Sequence, residues 1–360
     1  MKLVNDEIKR GSHMTVQKLN KKEFGLAILN GNASGIIVAL IPSAIISQLL
    51  AIMPQTDIVK TLTMMVTLAQ STLPIIAAFA VGALLKFGTI ESASMALATF
   101  IASGVVTSHG GQYVISGSGV ILNIMLTTFM ASLVTIAFHK LLGQLRAVFE
   151  PLAVLLVGGG LGLLTLPVMI AIQDAIGSVV AAATQTAPLV MGILLGIIFA
   201  VLIVSPLSSV GIATAIGLTG IGAGAANTGI VTASLVLAIM SLKENSWGLF
   251  IAHFMGSPKI QMANMLSKPK LFIPVIIASA IAGGISSLLS MSGTPFSAGF
   301  GLSGFIGPVT ALNESTGNGI GLRVVIAFFI VPIAMALIMK YIFIDKLQLI
   351  DAKDLKLPEV

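Results

Sequence analysis

Cysteine is missing from the 360-residue chain, which excludes disulfides, thiol nucleophiles and cysteine-bound metal. Charge is scarce: Asp, Glu, Lys and Arg make up 9%, against roughly 25% in a soluble domain. No phosphate-cradling G-x-x-x-x-G-K-[ST] loop occurs, so the chain cannot by itself couple ATP to work. Apart from His13, the histidines are His109, His139 and His253, and their positions along the chain show no metal-ligand spacing. Gly158-Gly159-Gly160 lacks the strand context of a dinucleotide fingerprint and reads as helix flexibility. No small-residue cleavage site follows a short apolar stretch, so the first apolar run reads as a retained helix. No cofactor, no metal and no catalysis within this chain are expected.

What the chain has instead is apolar sequence. Apolar residues reach 56% and recur in runs of roughly 20, enough to cross a hydrocarbon core of about 30 Å. The net charge of +6 would suggest nucleic acid in a soluble protein. Here it marks cytoplasmic loops, where Lys and Arg are retained, and no nucleic-acid partner is expected. Gly11-Ser12-His13-Met14 has the form of a cloning remnant, so residues 1–13 are set aside as vector-derived.

The expected fold class is an all-α integral membrane protein with about ten transmembrane helices plus two re-entrant hairpins. The spans run about 25–53, 61–85, 91–107, 119–138, 152–172, 188–204, 229–242, 247–264, 271–290 and 321–344. Between the third and fourth lies a polar, glycine-rich loop from Ser108 to Ser118. The charged connector with His139, Lys140, Arg146 and Glu150 is read as a short interfacial helix. Residues 14–187 form an N-terminal half of five helices and 188–346 a C-terminal half of five, followed by a cytoplasmic tail at 347–360. With Lys18, Lys21 and Lys22 in the cytoplasm, ten spans bring Lys86, Lys140, Arg146, Lys268, Lys270 and Lys346 to the same side. This is the positive-inside pattern and predicts a bacterial-type plasma-membrane protein with both termini cytoplasmic.

Two segments repeat. Gly217-Leu218-Thr219-Gly220 is followed by Ala226-Asn227-Thr228-Gly229, and Gly301-Leu302-Ser303-Gly304 by Asn313-Glu314-Ser315-Thr316-Gly317. Both are polar and glycine-rich beside a full span. Irregular backbone at membrane depth must face protein or water, and paired interruptions point to a substrate site near the midplane. Re-entrant segments are therefore expected at 205–228 and 292–319; the competing explanation is that small residues let helices pack closely.

The candidate substrate-binding residues are Asn227, His253, Lys259, Asn313, Glu314 and Arg323. Glu314 is an acid far from any charged loop, and a carboxylate at membrane depth suggests function; solvation at a loop tip, or pairing with Arg323, would explain it equally. Asn227 and Asn313 can donate and accept, which suits hydroxylated ligands, or they cap helices. His253 could bind ligand or carry a proton, or be a satisfied core histidine. Lys259 could instead mark the cytoplasmic end of the turn at Gly256-Ser257-Pro258, and Arg323 a helix start.

The stretches Ser205-Pro206-Leu207-Ser208-Ser209 through Asn227, Ala252-His253-Phe254-Met255-Gly256-Ser257-Pro258-Lys259, and Gly301 through Asn313 resemble the membrane subunit (enzyme IIC) of the sugar phosphotransferase system. They look most like its perfringolysin-regulator-like branch. The resemblance implies a homodimer formed through the first five helices, with substrate held by the second five. It also implies a glutamate and a histidine contacting sugar, roles that would fall to Glu314 and His253. Phosphotransfer would need separate cytoplasmic subunits, because the relatives' phosphorylated cysteine has no counterpart here. The expected function is binding and translocation of a small polar, sugar-like solute by alternating access; the alternative is a membrane-embedded regulatory sensor.

Overall fold

The structure is a computed structural model that describes residues 21–51, 53–141, 145–295 and 297–357. Residues 1–13, expected to be vector-derived, and Lys18 lie outside the described residues.

The described chain is helical apart from one hairpin. By length and apolarity six helices can cross a membrane, seven if a bent pair counts as one, and three shorter apolar helices accompany them. Every expected span thus has a helical counterpart. In order these are α1 (Lys21–Ala51), the bent pair α2 (Asp57–Ser71) and α3 (Leu73–Leu84), α4 (Thr89–Ala102), α5 (Ile121–Leu141), α6 (Arg146–Ala183) and α7 (Pro188–Ile203). After the short α8 (Ser209–Ala215) come α9 (Gly220–Ser241), α10 (Trp247–Gly256) and α11 (Pro269–Leu288). The short α12 (Ile306–Glu314) and α13 (Ile320–Lys346) complete the set.

Several boundaries differ from expectation, each for a local reason. The second span is bent by 42° where Thr72 and Pro74 interrupt it, because proline cannot donate to the helix ladder. The polar loop after α4 is a two-stranded antiparallel hairpin, β1 (Val106–His109) with β2 (Gln112–Ile115). Gly110 and Gly111 both take positive φ, 58° and 83°, as the tight turn that matches strand twist requires. The charged connector at Arg146 is the first turn of α6, which runs on to Ala183 past a π turn at Val154–Gly159.

The seventh span starts at Gly220, nine residues earlier than expected. Residues 220–228 are helical because their small side chains let other backbones close in. A Cβ on Gly224 would overlap the Met291 carbonyl, and one on Gly229 would overlap Gly196. Close packing through small residues therefore accounts for Gly224 and Gly229, whereas Gly220 is free of neighbours and takes a φ of 61°. As a result α9 is buried along nearly its whole length, while its neighbours α11 and α13 keep lipid-type faces such as Ile273, Ile277 and Leu337 exposed.

The largest core cluster joins second-half helices through Phe199, Ile230, Leu237 and Phe328. Two smaller clusters lie mainly in the first half, one around Val81, Met95 and Ala98, the other around Ile36, Leu73 and Ile124. Residues 351–357, within the expected cytoplasmic tail, are tied down against the second half. Asp354 pairs with Lys268 at 2.8 Å and Lys270 at 2.6 Å, and the Leu355 carbonyl accepts from Asn245 and Gln261.

Candidate functional site

The two glycine-rich repeats share left-handed backbone at both glycines, although Thr219 is extended where Ser303 lies in a 3-10 turn and Phe305 adds a third left-handed residue. Gly217 and Gly301 both have φ of 63°, and Gly220 and Gly304 have 61° and 56°. In each, the intervening leucine, Leu218 or Leu302, points into the core. The sequence repeat is thus echoed in the structure: a left-handed glycine, a buried leucine, a second left-handed glycine, then a helix.

The segments also meet. Gly220 and Gly293 exchange both backbone hydrogen bonds at 3.0 Å. The Ser209 hydroxyl donates to the Gly299 carbonyl at 2.9 Å. Asn227, fully buried on α9, spans the junction: its amide donates to Ser297 Oγ at 3.2 Å and its oxygen accepts from the Gly301 N–H at 3.1 Å. Both ends of that side chain are used, so Asn227 braces the junction and does not line the open space beside it.

That space is a cavity of about 400 Å³. The segments at Ser208–Gly211, Gly256–Lys259 and Gly299–Ser303 wall one side. The other side comes from the first half: Ser43 and Ser47 on α1, Gln70 on α2, the loop Gly117–Gly119, and Gln173 on α6. The lining is rich in hydroxyls and amides. The side-chain amides of Gln70 and Gln173 have no hydrogen-bond partner among the described residues, leaving each two N–H donors and an acceptor oxygen for a ligand.

Lys259 is the one candidate from the sequence that lines the cavity. Only 4% of it is exposed. Its ammonium donates to the Ser205 carbonyl at 2.5 Å and the Leu207 carbonyl at 2.8 Å. These carbonyls are freed where α7 ends and Pro206 forbids a further turn. The Ser257 hydroxyl caps the turn carrying Lys259, and the Ser303 hydroxyl donates to the Gly256 carbonyl. Local breaks in three segments thus converge on one lysine.

His253 sits behind this wall, in the π turn that ends α10; such turns are frequent at functional sites. One ring nitrogen, Nδ1, meets the Leu249 carbonyl at 2.6 Å, and Nε2 meets the Gln261 amide at 3.0 Å. Nδ1 therefore donates and Nε2 accepts, which is the neutral ring. Gln261 also donates to Leu355, so His253 is linked to the C-terminal strap and not to the cavity.

The remaining candidates lie elsewhere. Asn313 and Glu314 are exposed at the end of α12 and do not line the cavity. No ion pair to Glu314 is found among the described residues. Arg323 donates to the Leu289 and Thr316 carbonyls at 3.0 and 2.6 Å, tying the loop after α12 to the end of α11.

A second polar cluster involves no candidate. Glu91, His139 and Glu150, from three helices, bring ligand-type atoms within 4.8 Å of one another. Histidine and carboxylates that lack metal spacing along the chain are thus gathered in space. Arg146 lies 3.9 Å from Glu91 and 4.0 Å from Glu150, so a guanidinium already fills the position a cation would take.

Residues 26–357 match the family described as "Phosphotransferase system, EIIC". No curated protein matches the chain.

Proposed function

The chain belongs to the phosphotransferase system EIIC family, and we propose that its cavity is where a hydroxylated, sugar-like solute binds on its way across the membrane. Membership makes it a multi-pass plasma-membrane transport component that works with other phosphotransferase proteins. The observation that carries the proposal is the cavity itself. It is about 400 Å³ in volume, presents serine hydroxyls, two glutamine amides and Lys259 within an otherwise largely apolar lining, and is walled by both interrupted segments on one side and by first-half helices on the other. A void between two separately packed halves can open to alternate sides when one half rocks against the other. In this reading residues 14–187 are the scaffold and dimer-forming half, residues 188–346 carry the solute, and both termini face the cytoplasm.

The direct solute contacts are assigned to Lys259, Gln70, Gln173 and the lining serines, with Asn227 and His253 as braces. The test is thermal stabilisation of the detergent-purified protein by sugars and polyols, since a ligand of the folded state must raise its stability. Gln70→Ala and Gln173→Ala should leave the ligand-free protein within about 0.5 kcal/mol of the parent. Each should weaken binding by about three- to tenfold, the worth of one hydrogen bond. Glu314→Gln should bind as the parent does. Loss of binding in Glu314→Gln with retention in both glutamine variants would move the site to α12. Flux of the bound solute in proteoliposomes then separates a carrier from a protein that binds without transport.

A further inference from the structure

The charge inside the cavity is one-sided. Among the described residues that line it, Lys259 is the single charged side chain; Asp and Glu are absent from the lining. No carboxylate lies within ion-pair distance of its ammonium among the described residues. A buried ammonium without a counter-charge is costly, and in proteins such a group is normally paired. The compensation visible here is partial. The carbonyls of Ser205 and Leu207 stand just past the end of α7, where a helix presents the equivalent of roughly half a negative charge. An ammonium has three N–H donors. Two are used by those carbonyls, and the third has no acceptor among the described residues.

We infer that the solute of this site carries a carboxylate, so that the ligand class is a polyhydroxylated acid of the sugar-acid type and not a neutral sugar. This rests on the reading of the cavity as the solute site. The carboxylate accepts the third Lys259 N–H and supplies the missing negative charge. The hydroxyls of the same ligand are met by the uncommitted amides of Gln70 and Gln173 across the cavity. A neutral sugar would satisfy the amides but leave the ammonium uncompensated. The serines beside Lys259 suit the same ligand: Ser209 and Ser303 spend their O–H on the Gly299 and Gly256 carbonyls, so they hold the wall in shape while their oxygens still accept from ligand hydroxyls.

The experiment compares gluconate with glucitol, which share a six-carbon chain and differ at the terminal carbon, carboxylate against alcohol. Dissociation constants are measured on the full chain in detergent. Gluconate is expected to bind at least about tenfold more tightly, as one charge-assisted hydrogen bond implies. That advantage should shrink as chloride is raised, while glucitol binding stays constant. Lys259→Met should abolish the advantage, so that within that variant gluconate binds no more tightly than glucitol. The parent comparison and its salt dependence decide the matter even if that variant fails to fold. Equal or tighter binding of glucitol to the parent overturns the acid assignment and leaves the cavity proposal standing. Binding of neither, with a neutral sugar stabilising the protein instead, has the same consequence. Failure of every hydroxylated probe overturns both.

Discussion

Asn227 and Lys259 sit a few residues from breaks in the helical pattern; Lys259 donates to backbone that those breaks leave open, and Asn227 joins the Gly301 N–H to the Ser297 hydroxyl. Removing the Asn227 side chain strands the buried Gly301 N–H. Asn227→Ala should therefore cost about 1–3 kcal/mol, the desolvation penalty of an unsatisfied buried donor, read as a lower denaturation midpoint in detergent. Both residues were visible in the sequence because polar side chains in apolar runs need a partner or a purpose. Gln70 and Gln173 were not visible. A single amide on an otherwise ordinary helix has no local pattern, and their shared cavity exists only once α2, α6 and the second-half segments are brought together. For Glu314 the sequence left two readings open, a carboxylate at membrane depth or one solvated at a loop tip. Its distance from charged loops suggested depth, but α12 is only nine residues long and leaves the carboxylate exposed at its end.

Among elements, the paired Gly-Leu-x-Gly turns offer a comparison within one molecule. Gly217 and Gly301 share the same left-handed φ, but a Cβ at Gly217 would meet open space, whereas one at Gly301 would overlap Ile230. Gly217→Ala should cost only the conformational term of about 1–2 kcal/mol. Gly301→Ala should cost clearly more, because the overlap adds to the strain. Equal losses would show that the Ile230 contact relaxes freely. The spans themselves were legible because a helix in lipid must be long and apolar. Their ends were not, where tertiary contact overrode composition. Residues 220–228 read as too polar and glycine-rich for an ordinary lipid-facing helix, and the helix they join is indeed buried, with Met291 approaching Gly224 closely. The hairpin at Val106–Ile115 was hidden by its shortness, although Gly110-Gly111 is the kind of dipeptide that a two-residue turn demands.

For the whole molecule, the C-terminal strap connects regions far apart in sequence. Asp354 is held by Lys268 and Lys270. Burial alone would raise its carboxyl pKa, but the two lysines outweigh that and hold it below the usual value of 3.8. A carboxyl whose folded pKa is depressed contributes stability that is present above its unfolded pKa and lost as pH falls through the folded one. Asp354→Asn should therefore lower stability at neutral pH by about 1 kcal/mol, and the difference from the parent should vanish on acidification below pH 3.8. The strap also touches the network behind the cavity, since Leu355 accepts from Gln261, which holds His253. Loosening it should thus disturb the wall that carries Lys259 before it disturbs the first half.

The chain's freedom from cysteine allows a direct test of the cavity as the solute site. Ser47 lines the cavity, and Ser47→Cys would place the sole thiol of the protein there. Its modification by a small polar thiol reagent is followed in membranes, with and without saturating glucose, glucitol or gluconate. The account predicts that the thiol reacts and that at least one of the three slows its reaction. A thiol that reacts at the same rate in the presence of every one of them, while one of them still stabilises the protein, would place the solute outside this cavity and contradict the account.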